Sequence, residues 1–213
     1  RDLNTLAVQS RLMGYHLRGI RNVLFITGDP PKMSPTYPRS SAVFDMNSIQ
    51  MIRATISQLN QGRDFGDNPL GGERGSNTQF TVGTGFEPEA ANMSLEFERL
   101  QAKIDAGADY VMTQPIFDNS GLLNTLKPYE DSISVLPGVM VLNSAAHAER
   151  IAQVPGVNLP YNILDKMRRF SDLSDQRKVG LDLAVSQALE YKSQGWAGIY
   201  LMSPASLGAA KTV

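Results

Sequence analysis

Cysteine is absent from the 213 residues, which excludes disulfides, thiolate metal sites and a cysteine nucleophile. A chain without cysteine fits a reducing cytoplasm, and a cytoplasmic location is expected. Histidine is nearly absent too: His16 lies within a helical pattern and His147 follows an apolar run. Two histidines so far apart make no metal site, and none is expected. No apolar run reaches the roughly 18 residues that would span a bilayer. Charge of one sign is lacking as well. The formal net charge is −1, so no global field recruits nucleic acid or an anionic membrane. Neither a P-loop nor a nucleophile elbow is present.

What is there is an alternation. Leu3, Leu6, Ala7, Ser10, Met13, Gly14 and Leu17 recur in steps of three and four, which predicts a helix over residues 2–19. This pattern is already under way at Arg1, so a cut or processed start is expected. Residues 22–28 form a short apolar run ending in glycine, the pattern of a parallel strand buried on both sides. A proline-rich loop follows, and Ile49, Ile52, Ile56 and Leu59 mark a second helix. The glycine-rich stretch 61–78 reads as a long surface loop. Strands are then expected at 80–85, 110–117, 134–142 and 197–202, and helices at 94–106, 121–129, 145–154, 161–170 and 175–194.

Five strands in strict alternation with helices imply an α/β fold with a parallel sheet and right-handed crossovers. An open doubly wound sheet and a closed (β/α)8 TIM barrel compete. No glycine-rich phosphate loop follows the first strand, whereas Asp29, Glu87, Gln114 and Asn143 sit at strand ends, which a barrel brings to one mouth. A barrel needs eight strands, so roughly the first three βα units would be absent from this chain.

Three motifs carry chemistry. Thr27-Gly28-Asp29-Pro30-Pro31 places a permissive glycine and a carboxylate after the first strand; a simple turn or helix cap is the competing reading. Glu96, Arg99 and Lys103 are spaced i, i+3, i+7 and share a helix face suited to ribose and pyrophosphate, or else form a solvated charged stripe. Thr113-Gln114-Pro115 ends an apolar strand with an amide that both donates and accepts, which suits a pterin edge or a core glutamine bonded to backbone.

The segments Arg21–Pro31, Lys103–Pro115 and Gly198–Met202, in that order, resemble methylenetetrahydrofolate reductase, above all the reductase half of bifunctional proteins that carry a homocysteine methyltransferase domain. The resemblance implies that residues 1–213 are a single domain, the C-terminal five βα units of a flavin-binding TIM barrel. It implies an enzyme that uses NAD(P)H and FAD to reduce 5,10-methylenetetrahydrofolate to 5-methyltetrahydrofolate. The alternative is a barrel that binds folate or flavin, or serves assembly, without turnover.

By the same resemblance, Asp29 is the catalytic carboxylate beside the flavin and folate, opposing negative charge on reduced flavin and stabilising a cationic iminium of the substrate. Thr27, Gly28 and Phe44 fall on flavin contacts. Some relatives have arginine where Thr27 stands and tyrosine where Phe44 stands. Glu96, Arg99 and Lys103 fall on further cofactor contacts, and Gln114, His147 and Ile151 on substrate contacts. Asp29, Gln114 and the Glu96/Lys103 helix edge are expected around one cavity at the barrel mouth. The family's general-acid glutamate belongs to the first barrel strand, so this chain is expected to lack it. The resemblance leaves room for a homo-oligomer and for a fused or associated homocysteine methyltransferase domain; no nucleic-acid or membrane partner is implied.

Overall fold

The computed structural model describes residues 1–34, 36–71, 77–117, 121, 123–203, 211 and 213. These form two compact units: Arg1–Gly85 with Glu98–Tyr110, and Phe86–Phe97 with Val111–Val213.

In the first unit α1 (Thr5–Leu17) is opened by Asn4, whose side chain accepts the Ala7 N–H at 2.9 Å. Strand β1 (Asn22–Phe25) follows. Helix α2 (Ser48–Ser57) starts with a capping box, in which Asn47 accepts the Gln50 N–H and Gln50 accepts the Asn47 N–H. Strand β2 (Thr81–Phe86) lies parallel to β1, with Phe25 opposite Thr84. The C-terminal half of α3 (Met93–Asp105) belongs to this unit. Its interior is built from Val8, Leu12, Met51, Ile52, Leu59, Phe80, Val82 and Leu100. The Tyr110 ring lies against Gly83, and its hydroxyl donates to the Val23 carbonyl at 3.2 Å.

Two expectations for this unit need correction. Helix α1 turns Val8 and Leu12 inward, an i, i+4 pair, and leaves Leu6 and Leu17 exposed. The helix has apolar residues on more than one side, so periodicity alone did not select the packed stripe. Strand β1 is not buried on both sides: Leu24 and Ile26 are exposed among the described residues.

In the second unit the strand order is β3 (Tyr110–Pro115), β4 (Ser134–Met140), β5 (Tyr200–Met202), with β5 parallel to β4. The helix expected at 121–129 is a 3-10 helix, Leu123–Tyr129; Pro128 lies inside it and, with no N–H, cannot complete an α-helical ladder. Helices α4 (Ala145–Ile151), α5 (Tyr161–Arg168) and α6 (Leu173–Ser193) follow, with Ser144 and Asp172 capping α4 and α6. Phe117, Leu142, Ala148 and Met167 form a buried cluster, and Ile151, Ile163, Val179 and Leu183 pack around it.

Gly180 lets α6 lie directly on the end of β4. A Cβ there would come 1.8 Å from the Leu142 carbonyl oxygen, a backbone atom with little freedom to yield. Gly180→Ala should therefore cost about 1–3 kcal/mol through overpacking. Urea unfolding should show a lower midpoint at an unchanged slope; an unchanged midpoint would contradict the packing described.

Candidate functional site

Parallel strands joined by crossovers end at the same edge of their sheet. In the first unit the residues after β1 and after β2 therefore share an edge, and four nominated groups lie along it. Thr27 is half-buried and its Oγ1 accepts the Ser48 N–H at 3.1 Å, so its hydroxyl holds the first turn of α2. Gly28 has φ +84°, a left-handed conformation that glycine adopts without strain, and it turns the chain out of the strand. Asp29 is exposed, and among the described residues its carboxylate makes no hydrogen bond or ion pair. The Arg1 guanidinium bonds the Asp29 backbone carbonyl at 3.4 Å instead. Lys103 reaches the same edge from α3: its Nζ donates to the Gly85 carbonyl at 2.7 Å, and Gly85 packs against Ile26.

Phe44 belongs to this group through Arg1. The Arg1 carbonyl accepts the Val43 and Phe44 N–H groups, and the Arg1 Cβ lies 3.2 Å from where a side chain on Gly28 would begin. Phe44 has φ +48°, which is strained for an aromatic residue and holds its ring on the exposed side.

The charged helix face is not a solvated stripe. Glu96 is 6% exposed and Lys103 8%, while Arg99 is exposed. Glu96 and Lys103 are thus each drawn into the fold of their own unit. Glu96, in the second unit, accepts the Glu87 N–H at 3.1 Å, satisfying the first backbone donor after β2. Each unit thus holds one buried charge at a strand end, the Lys103 ammonium in the first and the Glu96 carboxylate in the second.

In the second unit Gln114 is exposed at the end of β3, and its side-chain amide makes no hydrogen bond among the described residues. Beside it Thr113 is buried, and the Thr113 hydroxyl is bonded on both sides; sequence reading quoted this threonine and gave it no role. No local pattern marks it, because its hydroxyl's partner Gly138 lies twenty-five residues away. His147 is half-buried in the first turn of α4, and its Nδ1 accepts the Asn143 N–H at 3.2 Å. Ile151, one turn on, packs against the Phe117–Met167 cluster, so it serves the core. A cavity of about 370 Å3 lined by Leu189, Lys192, Trp196, Gly198, Ile199 and Val213 touches none of the nominated residues.

Burial, and then the nearby Arg150 charge, push the His147 ring below its ordinary value of 6.5. In the window between that lowered value and 6.5 the unfolded chain binds a proton that the folded chain refuses. Stability therefore rises with pH through the window, and is lost as pH falls from 6.5 toward the folded value. Proton NMR of the His147 ring should give a midpoint below 6.5; a midpoint at or above it would contradict the neutral, hydrogen-bonded ring.

Comparison with known proteins adds a family. The methylenetetrahydrofolate reductase family model matches residues 1–208. Methylenetetrahydrofolate reductase 2 of Saccharomyces cerevisiae is 24% identical over 202 residues, 89% of this chain and 30% of the relative. Probable methylenetetrahydrofolate reductase (NADH) of Oryza sativa is 26% identical over 189 residues, 86% of this chain and 31% of the relative. Probable methylenetetrahydrofolate reductase (NADPH) of Caenorhabditis elegans is 25% identical over 188 residues, 84% of this chain and 25% of the relative. The chain spans about a third or less of the length of each. No helix among the described residues is long and apolar enough to cross a membrane.

Proposed function

The chain belongs to the methylenetetrahydrofolate reductase family, and on that premise we propose that it is the part of a reductase that handles folate and a flavin. The net reaction is 5,10-methylenetetrahydrofolate, NAD(P)H and one proton giving 5-methyltetrahydrofolate and NAD(P)+. The barrel reading, with the chain as one flavin-binding domain, is supported by this membership and by the alternation of strands and helices. Pyridine nucleotide use is supported by relatives whose names specify NADH and NADPH. The missing cysteines support a cytoplasmic location.

The residues present fit FAD. The turn at Gly28 leaves its backbone without a Cβ of its own, beside Arg1, and the Lys103 ammonium is fixed at the same strand edge. Thr27, Gly28, Phe44, Arg99 and Lys103 are assigned to the cofactor in the first unit, and Glu96 in the second. FAD, when bound, carries hydride from NAD(P)H to the folate. Gln114 is assigned to the pterin, because its exposed amide, without a hydrogen bond among the described residues, offers both a donor and an acceptor. His147 is assigned to a substrate contact through Nε2, since Nδ1 is already occupied by the Asn143 N–H. Ile151 is given no contact of its own; it supports the His147 turn from the core.

The observation that carries the reading is the Asp29 carboxylate, exposed after the end of β1 and without a hydrogen bond or ion pair among the described residues; the Arg1 charge acts on it only through space. Opening the one-carbon bridge of the substrate leaves positive charge on the folate. A fixed carboxylate that the fold itself does not consume favours that charge. Lys103 is the poorer residue for a test, because removing it also frees the Gly85 carbonyl.

Asp29→Asn keeps size and shape and removes the charge. In the flavin-loaded full-length protein it should slow folate reduction by roughly 10²–10³-fold, the loss seen when one electrostatic stabiliser is removed. NAD(P)H oxidation by an artificial acceptor should change little. Unchanged folate turnover would reject the role of Asp29.

A further inference from the structure

We propose that Thr113 and Gly138 form a positioning device that fixes the backbone of Gln114, and so sets where its amide meets the folate. The inference rests on the reading of Gln114 as the folate contact. It concerns two neighbours that touch no ligand themselves.

Three constraints converge on Gln114. Pro115 follows it, and the proline ring restricts the preceding residue to extended backbone. Thr113 is 1% exposed, and its hydroxyl donates to the Gln114 carbonyl at 2.8 Å. The same hydroxyl accepts the Gly138 N–H from β4 at 2.8 Å. A backbone donor of β4 is thus taken by a side chain of β3, and the hydroxyl stands between that donor and the Gln114 carbonyl.

This arrangement needs a glycine opposite. A Cβ on residue 138 would lie 2.6 Å from the Thr113 carbonyl oxygen and 2.7 Å from that of Gln114. Both carbonyls therefore crowd the bare Cα of Gly138. Beyond Pro115 the strand is tied again: the Ile116 N–H bonds the Gly138 carbonyl at 3.2 Å, and the buried Gln187 amide bonds the Ile116 carbonyl at 2.8 Å. Gln114 is the one exposed side chain in this anchored stretch, and its carbonyl is held by the Thr113 hydroxyl against Gly138. A group held in this way binds without first being ordered, which strengthens association.

The hydroxyl carries the effect, so Thr113→Val and Thr113→Ser separate it from packing. Valine keeps the volume and loses both hydrogen bonds; serine keeps both bonds and loses a methyl group. In the FAD-loaded full-length protein, calorimetric binding of 5-methyltetrahydrofolate should weaken roughly tenfold in Thr113→Val, about the worth of one hydrogen bond. Thr113→Ser should stay within about twofold of the parent. Gln114→Ala should weaken binding at least as much as Thr113→Val. Adding Thr113→Val to Gln114→Ala should cost little more, because the threonine acts through the glutamine.

The outcomes are distinguishable. Weak binding in Gln114→Ala with parental binding in Thr113→Val overturns the positioning role and leaves the site reading standing. Equal losses in Thr113→Ser and Thr113→Val also overturn it, and do so even where the valine variant folds poorly. A fully additive double variant overturns it as well, since a merely structural threonine lowers stability without coupling to Gln114. Parental binding in Gln114→Ala, or no binding by the unaltered protein, removes the site reading and this inference together.

Discussion

A parallel strand cannot turn straight back; it must be followed by a crossover that returns the chain to the edge from which it started. Every function assigned here depends on that constraint. Because β1 and β2 run in the same direction, the turn at Thr27–Asp29 and the carbonyl of Gly85 come out along one edge. Lys103 can then serve that edge from a helix nearly twenty residues on in sequence, through a bond of 2.7 Å to the Gly85 carbonyl. In the second unit β4 and β5 are parallel likewise, and His147 stands in the first turn of the helix that follows β4.

The same constraint explains the unusual burial of charge. Strand ends leave backbone donors and acceptors without ladder partners, and a buried one must be satisfied by something. Here Glu96 takes the Glu87 N–H and Lys103 gives to the Gly85 carbonyl. Both side chains are inside the fold at 6% and 8% exposure, and each meets a structural need. A cofactor contact by either residue would be added to this work in the fold. Asp29 and Gln114 are different: among the described residues neither side chain makes a hydrogen bond or ion pair, and only the Arg1 charge acts on Asp29, through space.

Much of this was legible in the sequence, for physical reasons that can be named. Apolar runs bounded by glycine and proline located the five strands, and periods of three and four the six α-helices, found among the described residues. The sequence misled where two readings share one pattern. Leu6 and Leu17 fit the period of α1 as well as Val8 and Leu12 do, and only packing selects between them. The segment Leu123–Tyr129, expected as an α-helix, is 3-10 with Pro128 inside it, where apolar spacing does not distinguish the two. At the candidate site, the sequence nominated Asp29 and Gln114 through the family resemblance and gave Thr113 no role. Its contribution lies in a hydroxyl bonded to Gly138, twenty-five residues away, and no local pattern announces a contact of that kind.

The central claim is that these strand ends serve a flavin that reduces folate. The most direct measurement is the visible absorption spectrum of the purified full-length protein, recorded anaerobically. The account predicts flavin bands that bleach when NADH or NADPH is added and return when 5,10-methylenetetrahydrofolate follows. A colourless protein that takes up no FAD, or bands that stay bleached after the folate is added, would contradict it.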